Sequence, residues 1–195
     1  KSIVKVLNFC SNLYYKTRNY YLTNFSLFFS KRINFPSNIY CKQKLYFTGS
    51  GSFEVGENST FGYKPGGFYR YGSIEFQSRY SNSKIKIGNN ISTNNNIFVC
   101  SANYISIGNN SLIGQNVSIM DFEAHSIDPT KRNEIGKIGE VILGDNIWIG
   151  NNVTILKNTK IGANSIVAAG AVVSGKFPAN VVIGGIPAKI IKKIN

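Results

Sequence analysis

A six-residue period runs through the second half of the chain and leaves few folds open to it. From Leu143 the sequence reads LGDNIW, IGNNVT, ILKNTK, IGANSI, VAAGAV, VSGKFP. Position one is always branched and aliphatic: Leu143, Ile149, Ile155, Ile161, Val167 and Val173. Position five is Ile147, Val153, Thr159, Ser165, Ala171 and Phe177, while position two favours Gly and position four Asn. Six matches neither the 3.6 period of a helix nor the period of two of a strand. It fits a triangular coil in which each hexad supplies one short strand and one corner. Gly and Asn belong at the corners because they tolerate left-handed backbone conformations. Three hexads close a turn, and turns stack at the parallel-strand spacing of about 4.8 Å. VGENST from Val55, IGNNIS from Ile87, IGNNSL from Ile107 and IGQNVS from Ile113 repeat the phrase upstream, ending at Ile119. The expected body is therefore an all-β solenoid, a parallel β-helix over 47–185.

The interruptions are as informative as the repeats. Between Ile119 and Leu143 the in-phase residues are His125, Lys131 and Lys137, and a charged stripe cannot point into a dry aliphatic interior. Residues 121–140 should thus leave the coil as a protruding loop, taking five of the nine acidic residues and the sole histidine with them. A second excursion is expected over 63–83, rich in Gly, Tyr and Arg. At the far end Ile186-Pro187-Ala188 followed by Lys189 to Ile194 predicts a turn and a short basic helix over 186–195. Residues 1–46 read as a basic extension, partly helical from the spacing of Ile3, Val6, Leu7, Cys10, Leu13 and Tyr14.

Charge and composition bound the partners. A chain of 195 residues suits one core with appendages. The net charge of +13 is uneven, with eight of the 22 basic residues ahead of the first acid, Glu54. Such an arm either keeps a surface solvated or attracts an acidic polymer, an anionic membrane surface or nucleic acid through one screened field. Cys10, Cys41 and Cys100 form no CxxC pair, the usage of a reduced, cytoplasmic protein. The aromatic stretch from Tyr20 to Phe29 is too short and polar to span a bilayer. The chain opens at Lys1, so a targeting segment ahead of it stays open.

His125 lies in the predicted loop beside Asp121, Glu123, Asp128, Lys131 and Arg132, groups of a kind that orient an imidazole. A neutral imidazole suits removal of a hydroxyl proton during attack on a thioester, although the sequence does not say which ring nitrogen acts. One histidine cannot build a three-histidine zinc site, and no Cys or Ser stands in a His-paired nucleophile motif. No metal is expected.

The IGNN phrases, the segment Ile119 to Pro129, the restart Ile142 to Gly150 and the ending Gly184 to Lys192 together resemble the hexapeptide-repeat acetyltransferases over about 85–193, in particular the maltose and galactoside acetyltransferases and the sugar O-acetyltransferases of surface-polysaccharide pathways. The resemblance implies the left hand of the helix, which the period alone does not. It further implies a homotrimer with active sites between subunits and acetyl-CoA as acyl donor. His125 would be the catalytic base. Asn94, seven residues into an IGNN coil, would steady the oxyanion, with neighbouring Asn95 and Asn96 leaving the register open and corner duty as the alternative for all three. The CoA groove would include Trp148, Asn151, Ala169, Ser174, Gly175, Lys189 and Lys192; Trp148 is alternatively a plain surface or interface residue. Residues 1–84 do not resemble the family's helical acceptor-binding segment.

Three functions remain in view. The first is O-acetylation of a sugar hydroxyl, on a capsular or other surface polysaccharide of acidic character, by a cytoplasmic enzyme touching the anionic inner face of the membrane and no nucleic acid. The second is N- or O-acetylation of an amino-sugar nucleotide or an antibiotic. The third is a non-catalytic trimeric β-helix scaffold.

Overall fold

The computed structural model describes Lys5, Val6, Phe9, Cys10, Leu13, residues 32–34, Pro36 and residues 38–195. The five N-terminal ones are helical; the rest of the helical expectation up to residue 31 lies outside the described residues.

The chain winds as a left-handed parallel β-helix whose strands fall into three sheets, one strand per sheet in each coil. The coils are β1 (Ile33–Asn34), β2 (Tyr40–Cys41), β3 (Leu45–Gly49); then β4 (Ser52–Val55), β5 (Thr60–Phe61), β6 (Ile74–Ser78); then β7 (Lys84–Ile87), β8 (Ser92–Thr93), β9 (Ile97–Ser101). They continue with β10 (Tyr104–Ile107), β11 (Leu112–Ile113), β12 (Ser118–Met120); β13 (Glu140–Leu143), β14 (Trp148–Ile149), β15 (Thr154–Ile155); and β16 (Thr159–Ile161), β17 (Ile166–Val167), β18 (Val172–Val173). A last coil holds β19 (Lys176–Phe177) and β20 (Val181–Gly185), and β21 (Ala188–Lys193) returns antiparallel along β20. Within each coil the first strand joins sheet 1, the second sheet 2 and the third sheet 3.

Three boundaries differ from the sequence expectation. Winding begins at β1, ahead of residue 47, because Ile39, Cys41, Leu45 and Phe47 already point inward. The excursion expected over 63–83 contains β6, whose Ile74, Phe76 and Ser78 are buried in alternation. The expected C-terminal helix is the strand β21: Ile190 and Ile191 favour extended structure, and β20 offers an unpaired edge to receive it.

Register carries the hexad into the core. Ile87, Ile107, Leu143 and Ile161 align in adjacent strands of sheet 1, all nearly fully buried. Each such side chain contributes about 1.5–3 kcal/mol through burial. Small polar residues at position five replace a backbone acceptor: Ser59, Ser111 and Ser165 Oγ accept from the amides of Ile91, Ile147 and Val181 at 3.1, 3.1 and 3.3 Å. Corners are asparagine because the backbone there is left-handed; Asn90, Asn110, Asn116, Asn152 and Asn164 have φ between 56° and 59°. Their amides form ladders, Asn96 to Asn116 to Asn152 at 2.9 and 2.8 Å on one edge and Asn146 to Asn164 to Asn180 at 3.0 Å on another.

The first two coils set aromatics among their aliphatics. Phe76 stacks on Phe47 at 5.4 Å and meets Phe61 edge-on at 5.8 Å. Phe76→Ala should therefore destabilise by about 3–5 kcal/mol, read as a lowered urea midpoint with an unchanged slope.

Candidate active site

The protruding loop leaves sheet 3 after Met120 and re-enters sheet 1 at Glu140, at the corner between these sheets. It is a folded hairpin. The Gly139 amide donates to the Asp121 carbonyl at 2.7 Å, Glu123 and Lys137 pair at 3.0 Å, and the Ser126 amide donates to the Glu134 carbonyl at 2.8 Å. A 3-10 turn at Pro129–Lys131 forms its tip, capped by the Asp128 carboxylate on the Thr130 amide.

Asp121 roots the loop. Its carboxylate is fully buried and accepts from Ser101 Oγ at 2.7 Å, the Ala102 amide at 2.6 Å and the Asn103 amide at 3.1 Å. Phe122 packs on Cys100 and Ala102, and the Arg79 guanidinium lies 4.8 Å from its ring centre. Burial pushes the Cys100 thiol up to about 11, where it stays protonated. This leaves Cys100 inert as a nucleophile.

Glu123 ties the hairpin to the next coil, accepting from the Lys137 amide at 3.0 Å and pairing with Lys157 at 3.1 Å. The Lys137 amide, then Lys157, hold its carboxyl below the usual glutamate range; the Thr130 amide and hydroxyl do the same for Asp128. A depressed folded-state pKa gives stabilisation that is present above the unfolded value and lost as pH falls through the folded one. The hairpin should therefore loosen selectively below about pH 4, seen as faster hydrogen exchange at Thr130 and Lys137 while the coil amides stay protected.

His125 stands exposed on this hairpin with Nδ1 2.6 Å from the Arg132 carbonyl oxygen. A carbonyl only accepts, so in the neutral ring Nδ1 carries the proton and Nε2 keeps its lone pair. The orienting group is thus backbone. The carboxylates that flank His125 in sequence are engaged elsewhere, Asp121 in the coil, Glu123 on Lys137 and Lys157, and Asp128 on Thr130.

The three consecutive asparagines separate cleanly. Asn96 is a corner residue with φ 58°. Asn95 is buried, its Oδ1 accepting from the Tyr63 amide at 2.9 Å and its Nδ2 donating to the Tyr63 and Gly67 carbonyls at 2.8 and 2.9 Å. Asn94 is half-buried; its Oδ1 takes the Asn95 amide at 2.9 Å, and its Nδ2 donates to nothing among the described residues. Of the three it alone has both side-chain N–H donors uncommitted among the described residues.

The remaining predicted residues divide between two corners. Trp148 is 54% exposed on the outer face of sheet 2, the sheet that also carries Lys189 and Lys192 on β21. Asn151 and Ala169 follow the sheet 2 strands β14 and β17, at the same corner as Asn94, and Asn151 Oδ1 accepts from the Gln115 amide at 2.9 Å. Ser174 and Gly175 follow β18 at the corner from which the His125 loop springs. Within one chain, then, Asn94 and His125 stand at opposite edges of sheet 3, and the loop's contacts with the coil go to its own corner.

Residues 140–175 match the bacterial transferase hexapeptide family (six repeats). Over 159 residues the chain is 33% identical to a protein of Escherichia coli (strain K12) described as the lipopolysaccharide biosynthesis O-acetyl transferase WbbJ, covering 77% of this chain and 76% of that one. It belongs to the hexapeptide-repeat acetyltransferase family. A second member, galactoside O-acetyltransferase of the same bacterium, is 34% identical over 146 residues, covering 72% of this chain and 64% of its own. The chain spans 57% to 76% of the length of four curated relatives in the family. Among solved structures, a galactoside acetyltransferase in complex with coenzyme A superimposes with a TM-score of 0.53 at 22% identity, covering 89% of this chain and 80% of that one. That likeness is one of fold. No helix among the described residues is long and apolar enough to cross a membrane.

Proposed function

We propose that this family member transfers the acetyl group of acetyl-CoA to a sugar hydroxyl, with a polysaccharide of the cell surface as acceptor. The observation that carries the reading is the anchored imidazole: with Nδ1 on the Arg132 carbonyl, the neutral ring of exposed His125 has its Nε2 lone pair free to act as a base. Nε2 takes the acceptor hydroxyl proton as its oxygen attacks the thioester carbonyl. The tetrahedral oxyanion receives a hydrogen bond from Asn94 Nδ2, and collapse expels the CoA thiolate, which recovers the proton from the imidazolium.

The division of site residues between two corners supports a site completed by a second subunit. A homotrimer brings the His125 edge of one chain against the sheet 2 side of its neighbour, where Trp148, Asn151 and Ala169 offer a flat wall to the pantetheine arm and Lys189 and Lys192 offer point charges to the nucleotide phosphates. Likeness to a lipopolysaccharide O-acetyl transferase and a galactoside O-acetyltransferase favours oxygen over nitrogen as the acceptor atom.

The test is acetyl-CoA turnover against a panel of saccharides. Asn94→Ala should lower kcat about 10²–10³-fold with little change in the KM for acetyl-CoA. Equal rates for the variant and the parent would remove Asn94 from the oxyanion site, and absence of transfer to every saccharide would sink the reading.

A further inference from the structure

We infer that the cleft walled by residues 42–46 and 64–73 is a subsite for an acidic oligosaccharide, placed to feed an anionic glycan toward Asn94. The inference rests on the sugar-acetylating reading of the site and names the acceptor's class.

The cleft encloses about 560 Å³ between the corner after β2 and the loop joining β5 to β6. Lys44, Lys64 and Arg70 line it together with Tyr46, Tyr69 and Tyr71. No acidic side chain does. The ion pairs among the described residues join Glu54, Glu123 and Glu140 to lysines elsewhere, so Lys44, Lys64 and Arg70 face the cleft uncompensated. Tyr71 is 93% exposed, an arrangement that burial does not explain for so large a ring. An exposed phenol face beside spaced cations suits a sugar ring that carries a carboxylate: the ring's apolar face stacks and the acid takes a charge-assisted hydrogen bond.

The loop is built rather than incidental. Buried Gln43 donates from Nε2 to the Phe68 carbonyl at 2.8 Å and accepts from the Asn96 amide at 2.9 Å, while buried Asn95 holds the Tyr63 and Gly67 carbonyls. Two buried amide side chains are thus committed to fixing its path. At Gly66 the backbone lies so close to the site that an added Cβ would stand 2.3 Å from Asn94 Oδ1. Ser73 also lines an adjoining groove of about 270 Å³, whose walls include Glu75, Asn96, Phe98, Asn116 and Ser118. The Gly66 approach sets the cleft's loop against Asn94, so a glycan held at Lys44 and Tyr71 lies beside the corner that bears it. A strand of nucleic acid satisfies the same charges, but the contiguity with Asn94 favours a glycan.

Binding to the intact protein tests this without turnover. Fluorescently labelled oligogalacturonate, oligosialic acid, polyphosphate, oligouridylate and maltooligosaccharide of matched length are titrated in low salt and in 0.3 M salt. Acidic oligosaccharides should bind, more weakly in high salt, and maltooligosaccharide should not. The combined variant Lys44→Gln, Lys64→Gln, Arg70→Gln should weaken them at least tenfold, with melting temperature confirming the fold. Tyr71→Ala should weaken the oligosaccharides several-fold and leave polyphosphate unchanged. Oligouridylate or polyphosphate binding as tightly as the oligosaccharides would overturn the inference, as would affinities that the triple variant leaves intact. Binding without transfer by the parent protein would sink the acetyltransferase reading alone, and transfer without binding would sink the cleft alone.

Discussion

Replacing His125 by alanine should lower acetyl transfer by about two to four orders of magnitude and leave the melting temperature unchanged. The ring is exposed and makes a single hydrogen bond, to the Arg132 carbonyl, so its removal takes away a base and almost no packing. Chemical rescue separates a base from a mere contact. Added imidazole should restore part of the rate. A variant that keeps the parent rate would exclude His125 from the chemistry.

The second large effect belongs to Asp121. Its carboxylate satisfies three donors at the root of the loop, Ser101 Oγ and the amides of Ala102 and Asn103; Asp121, Ser101 and Ala102 are buried, and Asn103 is exposed. Asp121→Ala removes the charged acceptor from all three and leaves the buried Ala102 amide unsatisfied; a hydrogen bond to a charged partner is worth about 1.5–3 kcal/mol. A loss of about 3–5 kcal/mol is expected, measured by urea unfolding. Transfer should fall as well, because the Gly139 amide closes the loop on the Asp121 backbone and the hairpin's angle sets where His125 points. Asp121→Asn, which keeps the shape but accepts on only one side-chain oxygen, should fall between the two. An alanine variant with the parent's unfolding midpoint would show that the buried carboxylate does not hold the loop.

The solenoid was legible because its period is a direct image of its geometry: one inward aliphatic and one left-handed corner per hexad. The loop was legible by contradiction, since His125, Lys131 and Lys137 fell on core positions that the coil could not accept. What escaped had two causes. The first coils carry Phe47, Phe53, Phe61 and Phe76 where the hexad favours Ile or Val, and coil lengths vary. A six-residue search therefore passes over β1 to β3 and β6, although the alternation Ile74-Glu75-Phe76-Gln77-Ser78 is itself a strand signal. The C-terminal end misled differently. Lys189 to Lys193 permits helix or strand on local preference, and only the open edge of β20 decides it. In the site, the three adjacent asparagines were indistinguishable as letters. Their roles separate only once Asn95 is seen turned inward and Asn96 at a corner. The backbone carbonyl that orients His125 leaves no trace in a sequence at all.

The antiparallel return of β21 also bears on how the stack of coils ends. A stack of parallel coils is open-ended by construction: its last rung exposes the same row of amides and carbonyls that its first rung could receive, and identical copies joined rung to rung would grow into a fibre. By folding Ala188–Lys193 back on β20, the chain occupies the sheet 2 rung with its own backbone in the opposite direction, and Lys189, Lys192 and Lys193 leave a positively charged rim there. Like charges then repel a second copy that approaches end-on. Shortening the chain before Ala188 should expose that rung, and the same tail that is proposed to greet nucleotide phosphates would have been serving as a stopper.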